Sequence, residues 1–201
     1  SNDAIIPAAA VTDLIVGSGA EVDLNGSFSL AGDLTNNGTI NYGTSSVSMT
    51  GGSDQTISGS ATTLNNLTVN KTGGSLIVIT PITVMGTLDM SAGNIINSSI
   101  VILGSSSANP GILSHTTGII TGEFRRYFPN ATGSQLFPIG TASVMRDVSV
   151  NFTSAPGSNQ YLTASYVTGA PTLFGGGAYE GLPLMAADGQ LITNYDNEGH
   201  W

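Results

Sequence analysis

Short apolar stripes at every second position run through the first hundred residues. Val22 and Leu24, Phe28 and Leu30, then Leu34 alternate with Asp23, Ser29 and Asp33. Such alternation puts the apolar side chains on one face of a strand. Each run lasts three to five residues and then meets a glycine or an Asn-Gly pair: Asn25-Gly26, Gly32, Asn37-Gly38, Gly43, Gly51-Gly52. These residue types accept the backbone of tight corners. The texture continues through Gln55-x-Ile57, Leu64, Leu67-x-Val69, Leu76-x-Val78, Ile82-x-Val84, Leu88-x-Met90, Ile95 and Ile100-x-Ile102. No window here has the 3.6-residue spacing of an amphipathic helix.

One block recurs. Leu30-x-Gly32-x-Leu34 with Gly38-x-Ile40 returns as Val84-x-Gly86-x-Leu88 with Gly93-x-Ile95, and Leu30 to Val84 is a step of 54 residues. The next stripe, Val47-x-Met49-x-Gly51, pairs with Ile100-x-Ile102-x-Gly104 at a step of 53. Short strands, corner glycines and recurrence predict a solenoid, a right-handed parallel β-helix with turns of roughly 18 to 27 residues. The alternative is an antiparallel sandwich of hairpins, for which Asn25-Gly26 and Asn37-Gly38 would be the turns. The repeat favours the solenoid.

The lead, Pro7-Ala8-Ala9-Ala10, and the apolar run 11–16 read as a cap or first strand. The stretch Ser105-Ser106-Ser107-Ala108-Asn109-Pro110-Gly111 is the best candidate boundary. Beyond it the apolar runs become longer and more aromatic, at 119–128, 135–139, 147–152 and 161–167. The expectation is an all-β chain: a parallel β-helix with its cap over residues 1–110, then an antiparallel, sandwich-like module over 111–201. The ends, Ser1-Asn2 and Trp201, read as those of a piece cut from a longer protein.

Charge narrows the functions. Only 8% of residues are charged, against roughly a quarter in an ordinary soluble domain. Four basic residues, Lys71, Arg125, Arg126 and Arg146, face thirteen acidic ones, for a net charge of −9. Binding nucleic acid needs clustered Lys and Arg, so that class is set aside, and docking on anionic lipid with it. The chain has no cysteine, which excludes disulfides and thiolate metal sites. No apolar run approaches the ~20 residues of a membrane helix. The run 5–16 is too short and lacks the basic start of a signal peptide.

Candidate chemistry is sparse. His115 and His200 lack the spacing of a helical metal pair; the plain reading is a loop histidine. Glu21, Asp23, Asp33, Asp54 and Asp89 are the carboxylates of the repeat, and Asp23, Asp33 and Asp89 sit in its polar phase, where solvated charges belong. A polysaccharide lyase would want an outward Lys or Arg as base, and Lys71 is the lone basic residue of the first 120. No cofactor is expected. Calcium is the metal that oxygen ligands would suit, at Asp188, Asp196 and Glu198. Arg125 and Arg126, adjacent on a strand, point to opposite faces; one would meet a carboxylate such as Asp147 or Glu123, the other Tyr127 or Tyr161. Lys71 among asparagines invites an isopeptide crosslink but has no evident partner. Thr39, Thr50, Thr68, Thr83 and Thr87 are too scattered for an ice-binding Thr-x-Thr face. Asn36, Asn65, Asn66 and Asn94 instead suit a corner ladder, each bonding the next turn's backbone. A glycan platform would use Tyr161, Tyr166, Tyr179 and Trp201, with core packing as the default.

Gln55-Thr56-Ile57-Ser58-Gly59, Leu64-Asn65-Asn66-Leu67-Thr68-Val69 and Val84-Met85-Gly86-Thr87-Leu88 together resemble large repeat-containing secreted surface proteins of Bacteroidetes. Arg125-Arg126-Tyr127-Phe128, Phe137-Pro138-Ile139-Gly140 and the terminal Glu198-Gly199-His200-Trp201 add to the likeness, which covers about residues 28–201. It implies a β-helical segment followed by a β-rich module, secretion by the type IX route and a place outside the cell or on its outer surface. It implies no catalytic residues. The expected role is a non-catalytic structural or adhesive segment whose partners are other domains of the same long chain. A glycan-binding module that takes a polysaccharide or cell-surface glycan is one alternative. A polysaccharide lyase or glycoside hydrolase is the other.

Overall fold

The structure, a computed structural model, describes residues 4–6, 10–168 and 199–200. They contain strands and turns and no helix. The chain winds in three-sided turns. The first holds β1 (Ala4–Ile6), β2 (Ala10–Val11) and β3 (Leu14–Val16). The second holds β4 (Glu21–Leu24), β5 (Ser27–Leu30) and β6 (Leu34–Asn36), and the third β7 (Thr39–Asn41), β8 (Ser46–Met49) and β9 (Gln55–Gly59). The fourth holds β10 (Thr62–Leu64), β11 (Asn66–Asn70) and β12 (Leu76–Val78), and the fifth β13 (Ile82–Val84), β14 (Thr87–Ala92) and β15 (Ile95–Asn97). The sixth holds β16 (Val101–Leu103) and β17 (Ile112–His115) and closes on Ile120, which bridges Ile95 in parallel.

Strands at the same place in successive turns pair in parallel. The second face is one ladder from β2 through β5, β8, β11 and β14 to β17, and the third runs from β3 through β6, β9 and β12 to β15. The first face is in two parts, β1-β4-β7 and β10-β13-β16, the latter extended by β18 (Phe124–Tyr127). Nineteen residues separate Ser27 from its partner Ser46, and twenty-five separate Leu88 from Leu113. This is the predicted parallel β-helix, with about six turns.

Parallel pairing in register stacks like on like. Phe28, Val47, Leu67 and Leu88 form one inward column, and Leu30, Met49, Val69 and Met90 the next. All are buried, and each contributes about 1.5–3 kcal/mol over an exposed position. The expected repeat is phased by corners, not by columns. Leu30 lies on the second face and Val84 on the first, because 54 residues make a whole number of corners but not of turns. Both blocks make a corner of the same kind, at different edges of the coil. The Gly32 N–H reaches the Thr12 carbonyl and the Gly86 N–H that of Asn65, each in the turn before. The second match needs correction by one residue. Val101 and Leu103 face inward and Ile102 outward, so Val47 and Met49 correspond to Val101 and Leu103. An unbroken run, Ile100 to Leu103, leaves period two unable to tell the faces apart.

The expected boundary at residue 110 falls inside the ladder. β17 pairs with β14 and β18 with β16, both in parallel. The residues 105–111 are a long corner of the sixth turn; turn-forming residues mark a corner whether or not a domain ends there. Antiparallel pairing begins later, where β21 (Tyr161–Ala164) joins β18, and β19 (Gly133–Phe137) pairs with β20 (Val148–Phe152). Phe137 packs edge-on to Phe124 and Phe128, at 5.7 and 6.3 Å between ring centres, and so covers the end of the apolar stack. Two compact units result, residues 1–165 and 166–201. In the second, β22 (Val167–Thr168) pairs antiparallel with β23 (Gly199–His200).

Candidate functional site

The corners consume the polar side chains. Asp13 Oδ1 accepts the Asp33 N–H at 2.7 Å, and Asp33 Oδ1 accepts the Thr56 N–H at 2.7 Å. Asp54 does the same for Ser75 and Asn66 for Thr87, both at 2.8 Å. Asn94 holds Ile119 at 2.9 Å and Asn97 holds Gly122 at 2.8 Å. Each bond climbs one turn. A three-sided coil leaves backbone N–H groups unladdered at its corners; the three that Asn66, Asn94 and Asn97 hold are half-buried and costly unless paired, and the three that Asp13, Asp33 and Asp54 hold are exposed. Of the four asparagines expected to do this, Asn66 and Asn94 do. Asn36 bonds Thr62 and the nearby Gly38 N–H instead. Asp33 is exposed, as expected of a solvated charge, and is a corner acceptor as well. Asn97 was not foreseen. It breaks the inward stripe Ile95-x-Asn97 in the same phase as Leu34-x-Asn36, and that shared break is the signal that could have found it.

One corner carries a buried polar cluster. Gln55 takes an inward position at the start of β9, stacked on Leu76, and is 1% exposed. Its Oε1 accepts the Gly51 N–H at 2.8 Å; its Nε2 donates to the carbonyls of Leu30, at 3.0 Å, and Gly32. Lys71, just past β11, donates to Gln55 Oε1 at 2.6 Å and to the Ser53 carbonyl at 2.7 Å. Burial lowers its ammonium below the ordinary lysine range, against the pull of Asp54 and Asp33, which raises it. Lys71 is 6% exposed, so it does not stand on an outer face as a polymer-cleaving base would.

A second cluster lies on β18 and β21. Arg125 and Arg126 do face opposite ways. Arg126 is buried, donates to the Leu136 carbonyl at 2.6 Å and lies 5.8 Å from the Phe137 ring centre. Burial lowers its guanidinium to about 10. Outside, Arg125 lies over Tyr161 at 4.6 Å and donates from Nε to Thr163 Oγ1 at 2.9 Å. Tyr161 is 51% exposed, with its ring centre 5.3 Å from that of Tyr127. These three make an outward aromatic and cationic platform.

Of the other glycan candidates, Tyr166 is buried, and Tyr179 and Trp201 lie outside the described residues. So do the calcium candidates Asp188, Asp196 and Glu198. Among the described residues no group of three or more His, Asp or Glu side chains is placed to hold a metal. His115 Nε2 lies 2.9 Å from the Gly118 carbonyl, a local loop contact. No helix among the described residues is long and apolar enough to cross a membrane. The outward positions of the second face stack Ser29, Ser48, Thr68, Asp89 and Ser114 in register, so Thr68 belongs to a mixed polar column. Comparison with family models, curated proteins and solved structures found no match.

Proposed function

We propose that the chain is a non-catalytic structural or adhesive segment of a larger secreted or cell-surface protein, spacing other domains of the same chain outside the cell. The observation that supports this reading is where the polar groups are spent. Asp13, Asp33, Asp54, Asn66, Asn94 and Asn97 hold the backbone of the next turn, and Lys71 and Gln55 hold each other. The corner bonds stiffen the coil, and Lys71 and Gln55 are buried away from any substrate. Low charge with abundant small polar residues suits an exposed rod. The test is to incubate the chain with pectin-like and alginate-like polymers and follow product release. None is expected; release that a corner Asp→Asn substitution abolishes would replace this reading with a lyase or hydrolase.

A glycan-binding role is the second reading, supported by the Arg125, Tyr127 and Tyr161 platform. Aromatic faces stack on sugar rings, and the guanidinium would favour an acidic sugar. Glycan-array binding that Tyr161→Ala removes would support it. An array without signal would leave only the structural role.

A further inference from the structure

Lys71 is the sole lysine or arginine in the first 120 residues, and the fold closes over it. The amine and the Gln55 amide are both buried and come from adjacent turns, sixteen residues apart. Nζ lies 2.6 Å from Gln55 Oε1. A carbonyl is about 1.23 Å long, so Cδ is no more than about 3.8 Å from Nζ. Attacks of this kind start from roughly 3–3.5 Å. The amide is gripped at both ends, by the Gly51 N–H at its oxygen and by the Leu30 and Gly32 carbonyls at its nitrogen. Gly93, in the next turn, seals the amine's stem: a Cβ there would fall on Lys71 Cβ and Cγ. Two groups that react only slowly in water are thus held together, out of water, in one orientation.

We propose that Lys71 Nζ and Gln55 Cδ form an intramolecular isopeptide bond, a covalent staple between the third and fourth turns. The neutral amine attacks Cδ and the Nζ–Cδ bond forms. The Cδ–Nε2 bond breaks, a proton from Nζ passes to Nε2, and the nitrogen leaves as ammonia. No oxidant, reductant or cofactor enters the balance. The Gly51 N–H already sits on the oxygen that carries negative charge in the tetrahedral intermediate. Burial favours the neutral, nucleophilic amine. Escape of ammonia to solvent makes the step one-way.

Intact-mass spectrometry of the purified full chain, fully unfolded, tests this. The expected mass is lower than that of the sequence by one ammonia. Peptide mapping then yields one branched peptide joining the segments around Gln55 and Lys71, and the Lys71→Arg variant has the full mass. A wild-type chain at full mass, with a Lys71 amine that labels once unfolded, would overturn the proposal. So would a loss of ammonia that persists in Lys71→Arg, which would belong to succinimides at Asn25-Gly26 or Asn37-Gly38. The peptide map of the wild-type chain decides the matter even where the variant does not fold.

Discussion

At the scale of single residues, the glycines at corners differ in what they do. A Cβ on Gly32 would run into the Asp13 carboxylate and the Thr12 carbonyl; one on Gly86 would meet the Asn66 amide and the Asn65 carbonyl. Both glycines lie against the corner acceptor of the turn before, so close approach, not left-handed backbone, is what requires them. Gly17 has nothing within 4 Å of the same position. Gly32→Ala and Gly86→Ala are expected to cost about 1–3 kcal/mol each, while Gly17→Ala stays within about 0.5 kcal/mol of wild type. Urea denaturation separates the three. The sequence shows each glycine, but only the stacked neighbour says which ones have no room.

At the scale of elements, β18 shows how a parallel stack ends. Its inward residue Arg126 pairs with Leu103 and so tops the column of Leu64 and Val84. A cation at the end of an apolar column is desolvated, and its Nε has no hydrogen-bond partner among the described residues. Its folded-state value, about 10, is below the ordinary arginine range. The unfolded chain therefore holds this proton more tightly, and the charge opposes folding at neutral pH. That cost is relieved only as pH rises above about 10 towards the ordinary arginine range. Arg126→Met loses the bond to the Leu136 carbonyl but also the buried charge. Its stability at pH 7 is expected within about 1 kcal/mol of wild type, read from the urea midpoint. A loss well beyond that would show that the guanidinium holds β19 in place. The Arg-Arg pair was legible as two faces of one strand. That the inner arginine meets an aromatic ring and a carbonyl depended on β19 folding back over it.

At the scale of the whole solenoid, each turn touches mainly its neighbours, so stability is built up along the stack. β8, β11 and β14 are paired on both sides, whereas β2 is the last strand of its ladder. Amide hydrogen exchange is expected to be slowest in β8, β11 and β14 and fastest at β2 and β3. Leu67, fully buried in the middle, should cost about 2–5 kcal/mol on truncation to Ala. Leu14, in the first turn and 7% exposed, should cost less. Equal protection along the ladder, or a larger loss at Leu14, would contradict a neighbour-by-neighbour stack.

Local spacing along the chain is enough to say that it is built of short strands and tight corners, and that its apolar residues form a continuous core. Those properties live in the spacing of neighbours: Val22 and Leu24, or Leu67 and Val69, must share a face wherever the strand goes. The recurrent Gly32 and Gly86 corners were enough to choose a coil over a sandwich. Tertiary structure decided everything that depends on which turn lies above which. It gave the solvated Asp33 a backbone partner one turn up, carried the ladder past residue 110, and brought Lys71 to Gln55. Those contacts join residues sixteen to twenty-five positions apart. A corner that gains or loses one residue changes every such pairing and leaves the local pattern untouched.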